Sequence, residues 1–214
     1  MDWEYIINHL LSGCVPMIPA LVLYFIILRV IRKKQTKAHI VVSFVFCFYL
    51  LGVLTVTGIC IRATFSPRFC FIPFVDMIKG PVNTVLNILM FTPLGFFLPL
   101  LYEKYDSIGK IALTAFLISL SIEIVQMFGF GATDINDLIT NTVGACLGYK
   151  IYELLLSIIP KNSLKQIQVK GSQCYYELLI FWIGSLLIML TVQVLVFHTF
   201  LATGISAAEM QVWK

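Results

Sequence analysis

The sequence predicts an all-α fold, a polytopic transmembrane helical bundle of about six spans, and three observations carry that reading. The 214 residues are 59% hydrophobic and only 12% charged, against roughly 45–50% and about 25% in soluble domains. Mean hydropathy is +0.94. The apolar residues also fall into six runs, each close to the roughly 20 residues that cross a ~30 Å hydrocarbon layer. This composition excludes a disordered chain, a collagenous chain and a secreted disulfide scaffold.

The runs are about Val15–Ile31, Ile40–Ile61, Val82–Leu101, Ile108–Phe128, Ile135–Leu156 and Leu178–Leu201. The first is the shortest, and Pro16 and Pro19 are expected in its opening turn, where a missing N–H is tolerated. Asp2 and Glu4 stand where a cleavable signal peptide carries its basic region, so this run is expected to be retained. In the third, Phe91-Thr92-Pro93-Leu94-Gly95 is expected to interrupt the helix near the midplane, because Pro93 lacks a donor and clashes with the carbonyl of Leu89, a simple kink being favoured over a break that lines a binding site. Gly129–Thr133 reads as a turn between the fourth and fifth runs. The fifth carries Gly144 and Gly148 as a G-x-x-x-G, which lets another backbone approach closely. The domain division is then 1–159 (a transmembrane domain), 160–177 (a cytoplasmic polar linker) and 178–201 (an additional C-terminal helix). Cys14, Cys47, Cys60, Cys70, Cys146 and Cys174 form no C-x-x-C pair and read as buried small hydrophobes, with a Cys60–Cys70 disulfide the less favoured alternative.

Net charge is +4, and the distribution of the basic residues says more than the sum. Arg29, Arg32, Lys33, Lys34, Lys37, Lys104, Lys110, Lys150, Lys161, Lys165 and Lys170 fall on one side of the bilayer; Arg62, Arg68, Lys79 and Lys214 fall on the other. By the positive-inside rule both termini are expected to be extracytoplasmic. Topology alone accounts for the basic stretch between the first two runs, so no nucleic-acid partner is expected.

Polar side chains within apolar helices cost roughly 2.5–3.5 kcal/mol each on insertion scales, so their positions are informative. The third run carries Asn83 and Asn87 at i, i+4; the fourth, Glu123 and Gln126 at i, i+3; the fifth, Asp134, Asp137 and Asn141 at i, i+3, i+7. At a rise of about 1.5 Å per residue, Asn87 and Glu123 each lie roughly 7 Å to the outer side of their span centres. Three consecutive helices thus bring polar groups to one depth, and these seven residues are the candidate ligand-binding set, in a pocket open to the external face or outer leaflet. A purely structural account competes at each: Thr133 or Asp134 as a helix cap, Glu123 as an interhelical fastener. The preceding loop, Arg68-Phe69-Cys70-Phe71-Ile72-Pro73-Phe74-Val75-Asp76, is apolar and aromatic but too short to cross, and is expected on the membrane interface, with Arg62, Arg68 and Lys79 near lipid phosphates.

Taken in order, Ile72-Pro73-Phe74, then Asn87-Ile88-Leu89-Met90-Phe91-Thr92-Pro93-Leu94-Gly95-Phe96, then Glu123 and Gln126, then Asp134-Ile135-Asn136-Asp137, then Asn141, Gly144, Ala145 and Gly148 resemble the VanZ-like family. Its pattern is an I-P-F loop, N-x-x-x-F-x-P-x-G-F, E-x-x-Q, D-[IV]-[DN]-D and N-x-x-G-A-x-x-G. The resemblance covers about residues 70–156 and, more loosely, the two preceding runs; the sixth run lies beyond it. It implies a small bacterial cell-membrane protein, and the founding member lowers susceptibility to the lipoglycopeptide teicoplanin without altering the peptidoglycan precursor that the drug binds. One departure stands out: family members often carry a basic residue just before the acidic motif, where this chain reads Gly129-Phe130-Gly131-Ala132. If that residue holds an anion, the task falls here to Arg62, Arg68 or Lys79. The resemblance carries over no catalytic residue.

Three functions fit these residues. One is a module that binds or moves a membrane lipid, a cell-wall lipid precursor or a lipidated glycopeptide at the outer face. A second is a lipid-modifying enzyme with an acidic site. Against it, His9, His39 and His198 lie outside the motif region and no G-x-S-x-G or H-E-x-x-H occurs; no cofactor and no metal are expected. The third is an assembly partner docking another membrane protein through Gly144 and Gly148.

Overall fold

A computed structural model describes residues 3–31, 35–58, 68–70, 81–127, 132–156 and 167–192. In chain order the elements are α1 (Trp3–Val30), α2 (Lys37–Val56), β1 (Arg68–Cys70), α3 (Pro81–Leu101), α4 (Ile108–Gln126), β2 (Ala132–Asp134), α5 (Ile135–Leu156) and α6 (Gln173–Leu187), the last running into a π-helical turn, Ile188–Val192. The chain is a helical bundle. Among the described residues, five helices are long and apolar enough to cross a membrane, within Leu10–Val30, Lys37–Val56, Pro81–Leu101, Ile108–Gln126 and Gln173–Thr191. The fifth helix, α5, was expected as a span too. It has 22 residues but carries Asn136, Asp137, Asn141, Lys150 and Glu153, and is not among the five.

Side chains point both ways around these helices. Phe46, Leu50, Leu51, Leu54, Phe91, Leu94, Leu98 and Ile111 are buried between helices, while Val22, Leu23, Val85, Leu89, Leu113 and Leu187 are exposed. A helix apolar all round suits lipid on one side and protein on the other. α2 begins where Thr36 accepts a hydrogen bond from the His39 N–H at 3.2 Å, a side-chain N-cap.

Two expectations about prolines are corrected. α1 is 28 residues long and starts at Trp3, so Pro16 and Pro19 lie inside it rather than in an opening turn. The stretch before them, with Ile6, Ile7, Leu10 and Leu11, continues the helix toward the N-terminus. Nor does Pro93 interrupt α3, which runs unbroken through Pro93 and Pro99. Carbonyls beside the proline receive side-chain donors: the Thr92 hydroxyl donates to the Ile88 carbonyl at 2.8 Å, and the Tyr49 hydroxyl to that of Met90 at 2.7 Å. Proline is tolerated within membrane helices that are packed against neighbours.

α3 and α5 form the tightest pair in the bundle, and glycine is the reason. A Cβ at Gly144 would overlap the Ile88 backbone; at Gly148, the Thr92 carbonyl; at Gly95, the Ala145 carbonyl. The G-x-x-x-G face therefore packs against the chain's own α3. α5 also packs along α4, and α6 against α2.

The last helix begins earlier than the expected Leu178. α6 begins at Gln173, and Val169 is tied to the end of α3: the Val169 N–H donates to the Leu101 carbonyl at 2.8 Å, and the Glu103 N–H donates to the Val169 carbonyl at 3.1 Å. Lys150 pairs with Glu153 one turn on, at 2.7 Å. β1 and β2 pair in parallel, Arg68 opposite Ala132, Phe69 opposite Thr133 and Cys70 opposite Asp134. That pairing lays part of the aromatic loop beside the start of α5. Cys60 and the Ile72-Pro73-Phe74 segment lie outside the described residues, as do the Cys70 side chain and residues 193–214. Cys14, Cys47, Cys146 and Cys174 are free thiols.

Candidate functional site

The beginning of α3, the end of α4 and the beginning of α5 meet at one end of the bundle, and the polar residues of all three cluster there. Glu123, one turn from the end of α4, is only 2% exposed. Its Oε2 accepts the backbone N–H of Asp134 at 3.1 Å. Asp134 in turn caps α5: its Oδ1 accepts the Asn136 backbone N–H and the Asn136 side-chain amide, each at 2.8 Å. Asp137, in the first turn of α5, accepts from Asn87 Nδ2 of α3 at 2.7 Å. A carboxylate in that turn also complements the positive end of the helix dipole.

Deeper in the bundle, Asn141 Nδ2 donates to the Ser119 hydroxyl at 2.9 Å, and both residues are buried. Asn141 Oδ1 is also buried and has no hydrogen-bond partner among the described residues. Gln126 Nε2 reaches across to the Thr57 carbonyl at the end of α2, at 2.8 Å. Asn83, one turn earlier on α3 than Asn87, is exposed. Of the seven candidate residues, then, Asn87 and Asp137 bond directly, Glu123 and Asp134 bond through a backbone N–H, and Asn141 and Gln126 bond to other partners. The adjoining loop residues 59–67, 71–80 and 128–131 lie outside the described residues.

The VanZ/LLP1 family model matches residues 17–159. The chain belongs to the VanZ/LLP1 family. It is also similar to protein VanZ of Enterococcus faecium, 45% identical over 69 residues, which are 32% of this chain and 42% of that protein. The match thus spans less than half the length of that relative. No solved structure matches the chain. Every residue of the polar end lies within the part that the VanZ/LLP1 model covers.

A second polar cluster in this VanZ/LLP1 protein reaches beyond the matched region, and sequence reasoning missed it. His39 of α2 and Glu177 of α6 are 1% and 0% exposed, with His39 Nε2 2.6 Å from Glu177 Oε1. His39 Nδ1 is 2.7 Å from the Ile167 carbonyl. A carbonyl only accepts, so Nδ1 carries hydrogen, and Nε2 and Glu177 share one further proton between them. The Tyr24 hydroxyl of α1 donates to Glu177 Oε2 at 3.1 Å, and the Ser43 hydroxyl lies 3.2 Å from His39 Nε2. Three helices and the segment before α6 are joined at one buried point. A signal was available in the sequence. α2 and α6 start at the same end, and His39 and Glu177 lie two and four residues into them, about 3 and 6 Å along the axis.

Among the described residues, no group of three or more His, Cys, Asp or Glu side chains is placed to hold a metal ion.

Proposed function

We propose that this chain lowers susceptibility to lipoglycopeptides such as teicoplanin by binding or handling a lipid-linked or lipidated ligand at the polar end of the bundle. With both termini outside the cytoplasm, as the positive-inside count favours, that end is the outer face. The observation that carries the reading is Glu123: a carboxylate 2% exposed within a membrane-spanning helix, turned toward the start of α5 where Asp134 and Asp137 stand. Ionisable groups at such depth mark binding sites or pathways more often than plain packing. The unpartnered Asn141 Oδ1 adds an acceptor on the inner side of the same cluster.

The test is a susceptibility panel with a lipidated and an unlipidated glycopeptide, in bacterial cells with and without the protein. Tolerance is expected to rise for the lipidated drug alone. Glu123→Gln retains an oxygen to accept the Asp134 N–H but removes the charge, and Asp137→Asn does the same opposite Asn87. A lost charged hydrogen bond is worth about 1.5–3 kcal/mol, so each variant should weaken ligand engagement about 10- to 100-fold and abolish tolerance at unchanged membrane levels. Full tolerance in both variants, or equal tolerance to the two drugs, would count against the proposal.

A further inference from the structure

α4 and α6 do not close on each other. Between them runs a groove of about 400 Å³, lined by Thr114, Leu117 and Ser121 of α4 and Tyr175, Leu179 and Trp182 of α6, among others. On each helix these positions recur at i, i+3 or i+4 and i+7, so each presents one continuous face. Both helices begin at the same end, where the Tyr105 and Tyr175 rings meet at 6.0 Å. Far from that end the groove is bridged by the Trp182 indole N–H, which donates to the Ser121 hydroxyl at 3.0 Å. Ser121 donates onward to the Ile118 carbonyl at 2.6 Å, so these polar atoms are already engaged.

Both walls belong to membrane-spanning helices, and Leu117 and Leu179 on the two sides are each 54% exposed. An apolar groove open sideways to the bilayer has too few polar partners to hold water, which needs two to four. Hydrocarbon is the solvent that meets it. The charges at its entrance select further. Lys110 pairs with Asp106 at 2.6 Å and Lys170 lies 3.7 Å from Glu103. Lys104 lies over the Tyr175 ring, 4.7 Å from its centroid, and among the described residues no carboxylate stands within ion-pair distance of it. Glu177, nearby on α6, is buried against His39.

We propose that this groove is the seat of an anionic phospholipid, one acyl chain lying between α4 and α6 and the phosphate meeting Lys104 at the Tyr105–Tyr175 end. The site is separate from the polar cluster and depends on α6, the helix beyond the family match. One cation near an anionic headgroup corresponds to about a fivefold preference over a zwitterionic lipid.

The experiment uses the full chain with Trp3→Phe and Trp213→Phe, which leave Trp182 as the sole indole, in vesicles containing phospholipid brominated at mid-chain. Brominated phosphatidylglycerol should quench Trp182 at about one-fifth of the mole fraction that brominated phosphatidylcholine requires. Lys104→Gln should bring the two lipids to parity. Thr114→Phe, which fills the groove, should reduce quenching by both. Equal quenching by the two lipids in the parent chain, or a preference unchanged by Lys104→Gln, overturns the proposal. So does quenching that Thr114→Phe leaves intact. Each variant is first checked for unchanged helix content and a monodisperse elution profile.

Discussion

Glu177→Leu is expected to destabilise the bundle by about 3–5 kcal/mol, the range seen when one partner of a buried ion pair is removed. The change strands His39, 1% exposed, beside a hydrocarbon side chain, and leaves the Tyr24 hydroxyl without the acceptor it has at 3.1 Å. Glu177→Gln is the informative contrast. Its amide N–H can donate to His39 Nε2 while Nδ1 still donates to the Ile167 carbonyl, and its oxygen can accept from Tyr24, so these three hydrogen bonds survive with neutral groups. Near-parental melting is expected for Glu177→Gln, and partial recovery for the double variant His39→Leu/Glu177→Leu, since replacing both partners of a buried pair is often neutral. Thermal unfolding in detergent, followed by fluorescence-detected size exclusion, reads all three. If Glu177→Leu melts with the parent protein, the buried pair does not hold α6 to the bundle.

The second large effect is at the α3–α5 contact. Gly148→Ala places a methyl group on the Thr92 carbonyl, and Gly95→Ala places one on that of Ala145. The obstacle is backbone in both cases, so no rotamer change relieves it, and two helices must separate along their length. Overpacking costs about 1–3 kcal/mol where side chains can yield; here the upper end or beyond is expected, with loss of the monodisperse species. Gly52 and Gly184 are the controls. A Cβ there meets no atom within 4 Å, and alanine at either should stabilise by about 0.5–1 kcal/mol, because helix-interior glycine has more backbone freedom to lose. Equal behaviour of the two pairs would show that close backbone approach is not what joins α3 to α5.

Much of the bundle was legible without coordinates, and the exceptions are instructive. Hydropathy located α2, α3 and α4 to within a few residues, because these segments are apolar throughout, and α5 as closely although polar residues interrupt it. It failed at α1, where Pro16 and Pro19 suggested a beginning and the helix starts at Trp3. It failed also at Pro93, where a local rule predicted an interruption and the helix runs on to Leu101. At the candidate site, spacing placed Asn87, Glu123 and Asp137 at one depth. Spacing could not show that Asn87 bonds to Asp137, or that Glu123 faces a backbone N–H.

Residue order alone determined the class of solvent this protein lives in, the helices found among its described residues, and its membership of the VanZ/LLP1 family. Those properties depend on the transfer of each segment into lipid and on linear motifs, both local along the chain. Only the tertiary structure decided which buried polar groups meet. The pairing of His39 with Glu177 spans residues far apart in sequence, and the α4–α6 groove exists because α6 docks on α2 rather than closing on α4. Lateral placement and axial rotation of helices arise from packing, where small residues permit contact and charged ones demand partners, and a one-dimensional pattern records neither.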